Sequence, residues 1–335
     1  MSNLYAQSIV VDCLNGSALT PTVIRSLRAG GVTAMNLTAV QIGTDWSGTL
    51  RDLTQIIETI NRHNDDLLLV RTPGDISRAK ATNRVGVLLG MQDAEPIGRE
   101  LGNLRVLREL GVGVIQLTHN RQNYVGTGCC EPDSGITGFG RRVIAEMNRL
   151  GIMIDVSHCG PRTTMDAIEV SALPVICSHA NPATICRSVR NKSDDIIRCL
   201  AARGGIIGVA FWTPIVYRGD GRRPTLADVL DCFDHVLALV GPDHVAVGSD
   251  LCEEAMPTRE VWADIYGPNG TYPAVTGGLG DWYGYDSIMA SGMETADLLP
   301  GIAPALASRG HSEATIKKIL GANFQRLYAA NAKQT

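Results

Sequence analysis

Eight short apolar runs, rich in valine and isoleucine, alternate along the chain with polar loops and segments of helical periodicity. Strands that are apolar on both faces and separated by helices are typical of a parallel sheet covered by helices. Eight is also the number of strands in a closed barrel of this kind. The pattern therefore predicts an α/β fold of the (β/α)8 TIM-barrel type, with strands at residues 8–12, 33–37, 85–91, 114–118, 153–156, 174–177, 205–209 and 244–248.

An open, doubly wound sheet is the alternative interpretation of the same alternation. Such folds often carry a Gly-x-Gly-x-x-Gly motif after the first strand, and none occurs there in this chain. We predict a single domain over residues 1–335, with a C-terminal helical extension at 312–328 that packs on the outside of the barrel. The periodicity predicts seven further helices, at residues 21–29, 52–62, 101–110, 140–150, 162–171, 193–203 and 225–240.

The stretch 257–286 breaks the periodic pattern, because glycine, proline and aromatic residues dominate it. We predict a long loop after the eighth strand, near the barrel face that binds ligands. Aromatic side chains on loops are enriched both at pockets and at interfaces, so the loop is expected to form a pocket wall, a dimer contact or both. Its aromatic residues are Trp262, Tyr266, Tyr272, Trp282, Tyr283 and Tyr285.

Composition narrows the function classes. The chain has 335 residues, of which 30 are Lys or Arg and 34 are Asp or Glu, so its net charge is −4. Because the sequence also contains no basic patch, we expect no nucleic-acid or membrane partner. Its apolar runs fall short of the ~20 residues that cross a bilayer. Without an export signal we predict a cytoplasmic location and nine reduced cysteines, most of them small core residues. Cys129 and Cys130 are adjacent, a spacing that ordinary structural zinc sites do not use.

Polar residues close several predicted strands, and in such barrels the active site lies at the C-terminal strand ends. Three of the seven histidines occupy equivalent positions in this pattern. Neutral imidazoles bind metals, and a carboxylate or imidazole transfers protons, so these side chains predict one shared catalytic cavity. The residues are Gln92, His119, His158, His179 and Asp250.

Around these residues the sequence resembles the membrane (renal) dipeptidase family, peptidase family M19 of the amidohydrolase superfamily. The resemblance runs through nearly the whole chain and implies a (β/α)8 barrel, usually a homodimer, that hydrolyses dipeptides with two zinc ions. The motifs that carry it include Leu117-Thr-His-Asn120, Asp155-Val-Ser-His158, Ser178-His179, Arg190-Asn191, Gly248-Ser-Asp250 and Leu320-Gly-Ala-Asn323.

The resemblance also implies a role for each matching residue. His158 and His179 correspond to zinc ligands, and His119 to the histidine that polarises the substrate carbonyl. Asp250 corresponds to the acid/base carboxylate. Arg190, followed by Asn191, corresponds to the arginine that holds the substrate carboxylate, and this favours an amino-acid or dipeptide-like substrate.

Three metal ligands of the family are replaced in this chain. Leu14 and Gly16 stand where the family has the histidine and the aspartate of a His-x-Asp pair, and Gln92 stands where it has the glutamate that bridges the two metals. A second cation would lack compensating carboxylates in a buried cavity, where unpaired charge is costly. We therefore predict at most one divalent metal per chain, zinc by preference, or none.

A single metal would be held by His158 and His179, completed by Asp250, a water molecule or the Gln92 carbonyl. Three other side chains near the lost ligands are expected to stay outside the site. Strand alternation directs Cys13 away from the cavity, and Asp93 and Glu95 are expected to be exposed loop acids.

Four hypotheses for the function follow from these residues. The first is a dipeptidase-like hydrolase of dipeptides or small amino-acid-like amides with at most one metal. The second is metal-independent acid/base chemistry on a similar substrate, as in an isomerase, a lyase or an enzyme that cleaves C–N bonds. The third is a non-catalytic binder or a subunit of a larger assembly, and the fourth is a barrel whose site has decayed.

Overall fold

The computed structural model describes residues 2–256 and 258–332, with side chains from residue 4 onward. Within these residues every strand pair is parallel. Eight strands follow one another in the order β1-β2-β4-β5-β6-β7-β8-β9, and the short β3 pairs beside the first half of β4. The strands are β1 (Val11–Asn15), β2 (Ala34–Thr38), β3 (Leu67–Leu69), β4 (Val85–Met91), β5 (Val112–Gln116), β6 (Met153–Asp155), β7 (Ile176–Cys177), β8 (Ile206–Val209) and β9 (Val245–Val247).

Hydrogen bonds between β1 and the segment after β9 close the barrel. The Gly16 amide donates to the Leu251 carbonyl at 2.7 Å, and the Asp250 amide donates to the Leu14 carbonyl at 3.1 Å. The buried Asp12 carboxylate accepts a further bond across this seam, from the amide of the residue before Asp250, at 2.8 Å. The predicted (β/α)8 barrel is thereby confirmed, and the open sheet is excluded.

All seven helices predicted from periodicity are present, with ends that follow ordinary capping chemistry. The side chains of Thr20, Asp45, Thr137 and Ser193 each accept a backbone N–H at a helix start. The helices are α1 (Ser2–Gln7), α2 (Pro21–Ala29), α3 (Trp46–Arg62), α4 (Pro73–Ala81), α5 (Gly102–Leu110), α6 (Gly138–Leu150), α7 (Pro161–Val170), α8 (Asp194–Ala202), α9 (Thr213–Val216), α10 (Leu226–Val240), α11 (Arg259–Tyr266), α12 (Pro273–Thr276), α13 (Ile302–Ser308), α14 (Glu313–Lys317) and α15 (Asn323–Ala332). None of the described helices is long and apolar enough to span a bilayer.

The structure corrects the sequence analysis in three places. It adds β3 and α4, a strand of three residues and a helix of nine that begins at a Thr72–Asp75 capping box. The stretch 257–286, predicted as a loop, contains α11 and α12, while Pro257 lies outside the described residues. The C-terminal extension is predicted to pack on the outside of the barrel, but its last helix, α15, covers one end of the barrel.

The interior of the barrel explains this last placement. One apolar cluster takes one or two residues from every strand, together with Phe324, Leu327 and Tyr328 of α15. Farther along the strands the inward positions become polar, with Asn36, Gln116 and Asp155 fully or almost fully buried. The interior at the N-terminal end of the barrel is therefore apolar and covered by α15. The polar residues at the C-terminal end are available to form an active site.

Two glycines allow the strands to approach closely below this polar end. A Cβ atom at Gly248 would lie 1.8 Å from the Ser178 carbonyl oxygen, and one at Gly208 would lie 2.0 Å from the same atom. We expect Gly248→Ala to lower the free energy of unfolding by about 3 kcal/mol or more, because backbone must move. Gly102→Ala is the matched control, since no atom lies within 4 Å of its Cβ position. Equal denaturant midpoints for the two variants would contradict the expected crowding.

Candidate active site

A cavity with about 520 Å³ of empty space, its open mouth included, lies at the C-terminal ends of the strands. Four of the five predicted strand-end residues line it, and the fifth, His179, lies one layer deeper against His158. A second cavity, of about 560 Å³, lies at the starts of β2 and β4 and contains none of the candidate residues. The lining of the first cavity is Gln92, His119, Asn120, His158, Trp212, Asp250, Cys252, Met256, Trp262, Tyr266 and Ile288.

The ring of His158 is oriented by the Asn120 amide. Its Nδ1 lies 2.7 Å from the Asn120 Oδ1, and that oxygen also accepts the Cys129 thiol at 3.2 Å. A carbonyl oxygen offers no proton, so we assign the ring hydrogen of His158 to Nδ1. The Nε2 of His158 therefore carries a lone pair.

The ring of His179 is oriented in the same way by a serine and a carboxylate. Its Nδ1 lies 2.7 Å from the Ser178 hydroxyl, which donates its own hydrogen to Asp155. The serine oxygen must then accept from the imidazole, so the ring hydrogen of His179 is also on Nδ1. Such partners behind a histidine are typical of metal-binding imidazoles.

The two Nε2 atoms face each other at 2.9 Å. With both hydrogens on Nδ1, two lone pairs meet at hydrogen-bond distance with no proton between them. A cation shared by His158 and His179 would turn this repulsion into coordination, so the pair fits one metal ion.

Burial keeps these imidazoles neutral, which is the form that binds metals. It lowers the pKa of both His158 and His179 well below the ordinary value, and the positive charge of Arg190 lowers each further. The pKa of His119 is lowered to about 3, again mainly by burial and then by Arg190. All three rings are therefore uncharged at neutral pH.

His119 lies over one face of the histidine pair. Its ring stacks on that of His158, with centroids 4.1 Å apart and planes inclined by 28°. Its Nδ1 lies 3.5 Å from the hydroxyl of Tyr272, a residue of the predicted aromatic loop. A neutral imidazole beside this histidine pair can donate a hydrogen bond to a substrate oxygen.

Asp250 supplies the only aspartate or glutamate side chain in the cavity lining of the described residues. Its backbone is left-handed, with φ +60°, a conformation that non-glycine residues rarely adopt and that is frequent at functional sites. Burial raises the pKa of Asp250 to about 7, although Arg190 acts in the opposite direction. A carboxyl group with this pKa can accept and return a proton near neutral pH.

No imidazole or carboxylate occupies the three replaced ligand positions. Leu14 is buried, and a Cβ atom at Gly16 would lie 3.2 Å from the Cys252 sulfur. Gln92 uses its amide nitrogen to donate to Thr38 at 2.8 Å. Across residues 2–256 and 258–332, no three His, Cys, Asp or Glu side chains are arranged together to hold a metal. The side chains therefore fit one cation on two histidines and do not fit a second cation.

Arg190 lies behind the histidines and is absent from the cavity lining. Its guanidinium donates to the backbone carbonyls of Ser157 and His179, at 2.5 and 3.2 Å, while Nε is buried without a partner. The neighbouring Asn191 bonds to backbone atoms of the surrounding loops, including the Asn181 amide at 2.9 Å. Substrate binding by these two residues stays a prediction.

Of the three expectations for side chains near the lost ligands, those for Cys13 and Glu95 are confirmed and the one for Asp93 was wrong. Cys13 is absent from the cavity lining and packs in the apolar barrel interior. Glu95 is exposed as expected, but Asp93 is buried, because its carboxylate accepts the Asn123 amide at 2.7 Å and the Glu95 amide at 3.0 Å. The strand register thus brings Gln92, and not Asp93, into the cavity.

Several lining residues were missed by the sequence analysis. Asn120 follows His119 in the Leu-Thr-His-Asn motif, and its left-handed backbone, φ +59°, was not foreseeable from the motif alone. Cys252 lies two residues beyond Asp250 and was read only as one of nine cysteines. Trp262 and Tyr266 of the aromatic loop were not missed, because the loop is predicted to form a pocket wall and these two residues line the cavity.

Comparisons with known proteins identify the family of the chain. The family model for membrane dipeptidase (peptidase family M19) matches residues 22–261. The chain is 34% identical over 209 residues to an uncharacterised dipeptidase of Schizosaccharomyces pombe, covering 61% of this chain and 50% of the relative. It is 30% identical over 284 residues to dipeptidase verJ of Clonostachys rogersoniana, covering 83% and 64%. The chain thus spans half to about two thirds of these curated relatives.

The similarity extends to a solved structure of comparable length. The crystal structure of an amidohydrolase from Pseudomonas aeruginosa superposes on the barrel with a TM-score of 0.90 and 31% sequence identity, covering 99% of each chain. The whole barrel, including the strand ends that carry the cavity, therefore follows an established architecture.

Proposed function

Since the chain belongs to the membrane dipeptidase family, peptidase family M19, whose members are metal-dependent hydrolases, we propose that it hydrolyses dipeptides or similar amino-acid amides with a single metal ion. The observation that carries the proposal is the 2.9 Å distance between the Nε2 atoms of His158 and His179, both of which we assign as unprotonated. Zinc is the metal that neutral imidazoles and the family both favour.

When bound, the metal would polarise the scissile carbonyl and acidify a water molecule. His158 and His179 would hold it, with their rings fixed by Asn120 and Ser178. His119 would donate a hydrogen bond to the oxygen that becomes negative as water attacks. Asp250 would accept the proton of the attacking water and return it to the departing amine nitrogen.

The cavity supports a small substrate with an apolar side chain. Its walls contain Trp212, Trp262 and Ile288, which would contact such a side chain. The positive charge of Arg190, held behind the histidines, would attract a substrate carboxylate. We also propose the homodimer that is usual for the family and a cytoplasmic location, which light scattering and cell fractionation would test.

Metal-independent acid/base chemistry remains a second candidate, because one observation favours it. The described residues offer no third His, Cys, Asp or Glu ligand beside the histidine pair. In that case Asp250, with a pKa of about 7, and the neutral His119 would move protons on an amino-acid-like substrate without a cation.

Elemental analysis of the purified protein, paired with a screen of dipeptide hydrolysis before and after chelation, separates the two candidates. We expect about one divalent metal per chain and hydrolysis that stops on chelation and returns with zinc. Replacing either His158 or His179 by alanine should remove the metal. His244→Ala is the control, because this ring bonds to the Gly205 carbonyl at the opposite end of the barrel. A metal-free protein whose turnover survives chelation would overturn the proposal and establish the second candidate.

A further inference from the structure

Cys129 and Cys130 form an adjacent thiol pair beside Asn120, a residue that lines the cavity. Their backbone amides are held by the two segments that carry the histidines: Cys129 N donates to the His158 carbonyl at 2.9 Å, and Cys130 N donates to the Asn120 carbonyl at 2.8 Å. The two sulfur atoms lie 3.9 Å apart. This pair has no role in the hydrolysis proposed above.

The thiols connect to the metal-binding pair through one amide. The Cys129 thiol donates to the Asn120 Oδ1 at 3.2 Å, so the hydrogen between the two sulfurs must come from Cys130. The same Asn120 oxygen accepts the Nδ1 hydrogen of His158 at 2.7 Å. A change at the sulfur of Cys129 therefore alters the group that orients His158.

We propose that Cys129 and Cys130 are a redox modification site, at which hydrogen peroxide oxidises the two thiols to a reversible disulfide. In the first step the sulfur of one thiol attacks a peroxide oxygen, the O–O bond breaks, and a sulfenic acid and water form. In the second step the other thiol attacks that sulfur, an S–S bond forms, and the oxygen leaves as water. One hydrogen peroxide is reduced to two waters, and the two thiols are oxidised.

The backbone favours a bond that is easily reversed. The Cα atoms of neighbouring residues are ~3.8 Å apart, closer than the ~4.4–6.8 Å of ordinary disulfides, so a bond between Cys129 and Cys130 is strained. Strained and accessible disulfides are the readily reduced ones.

Formation of the bond removes the thiol hydrogen that Asn120 accepts, which loosens the orientation of His158.

A second pair of close thiols provides an internal comparison. Cys186 and Cys232 have sulfurs 3.8 Å apart, but both residues are fully buried, and Cys186 donates to the Val216 carbonyl. Cys130 is partly exposed and packs against the small apolar cluster of Ala210, Ile215 and Val275 beside the cavity. Peroxide in solution should therefore reach the adjacent pair first.

The test uses the full chain, limiting hydrogen peroxide, alkylation of the remaining thiols and mass spectrometry of tryptic peptides. Cleavage after Arg121 and Arg141 gives the peptide 122–141, whose only cysteines are Cys129 and Cys130. We expect this peptide to lose the mass of two hydrogens and to escape alkylation, while dithiothreitol reverses both effects. In Cys130→Ser the oxidation should stop at a sulfenic acid that dimedone traps on Cys129, and Cys186→Ser should behave as the unmodified protein.

Two results would overturn the inference. One is a doubly alkylated 122–141 peptide after other cysteines have oxidised. The other is a disulfide that forms while bound zinc and dipeptide turnover stay unchanged. In that case the disulfide is not coupled to His158, because a coupled disulfide should lower zinc content or turnover until dithiothreitol restores them. The mass of the 122–141 peptide is measured without any enzyme activity, so this test is independent of the proposed hydrolysis. Only the coupling of the disulfide to His158 rests on the proposed function.

Discussion

Asp250→Asn is expected to lower kcat for dipeptide hydrolysis by roughly 10²–10⁴-fold, the usual contribution of a general base. Asparagine keeps the size of the side chain but cannot accept a proton from the attacking water. The loss should appear in kcat more than in KM, because the proton moves only as the reaction proceeds. Steady-state kinetics of the purified variant provide the measurement.

The rate of hydrolysis is expected to depend on the protonation of Asp250. Burial raises the pKa of Asp250 to about 7, so the side chain is protonated and inactive as a base below that pH. The rate should therefore rise with pH through about 7, or through a lower pH when a bound cation favours the carboxylate. His119, with a pKa of about 3, adds no second step between pH 5 and 8.

Asp93→Asn is the matched control for this variant. Burial also raises the pKa of Asp93, to about 6, but its carboxylate bonds to Asn123 and the Glu95 amide outside the cavity. We expect this variant to keep the rate and the pH dependence of the unmodified protein.

Asp250→Asn should unfold at the same or a higher temperature at pH 8, because it removes a buried charge. A normal rate in Asp250→Asn would exclude this residue as the base.

The barrel could be predicted because its strands leave a strong signal. Each of the eight barrel strands is buried on both faces, so it appears as a continuous apolar run followed by a helix. The missed β3 is no shorter than β6, β7 or β9, but it pairs only with β4 and lies outside the strand order of the barrel, so a pattern of eight strands has no place for it or for the α4 that follows. Helix α11 was missed because its sequence lies among glycines and aromatic residues, although Thr258 caps its first turn.

The residues of the site could be predicted from strand ends, but their hydrogen-bond partners could not. Topology alone brings His119, His158 and Asp250 to one face of the barrel. The orientation of Arg190 toward backbone carbonyls and the burial of Asp93 depend on loops that return from distant positions in the chain. Side-chain direction within such loops has no periodicity, so the sequence pattern contains no information about it.

Restoring the three replaced ligands is expected to add a second zinc ion and to increase dipeptide hydrolysis. The triple change Leu14→His, Gly16→Asp and Gln92→Glu supplies two carboxylates, whose charge balances one further Zn²⁺. Glutamate has the shape of Gln92, and the Thr38 hydroxyl that now accepts from the amide can instead donate to the carboxylate. Metal content per chain should rise from about one to about two.

The Cys252 side chain lies where the new aspartate at position 16 would be placed. A Cβ atom at Gly16 would lie 3.2 Å from the Cys252 sulfur, which is closer than most real contacts, so an aspartate there needs the sulfur to move. The triple change should therefore bind the second zinc more weakly than the same change combined with Cys252→Ala. Cys252→Ala alone is the control and should keep a single metal. If neither combined variant exceeds one zinc per chain, then the divergence of this cavity lies in its backbone and packing, and not in the three ligands alone.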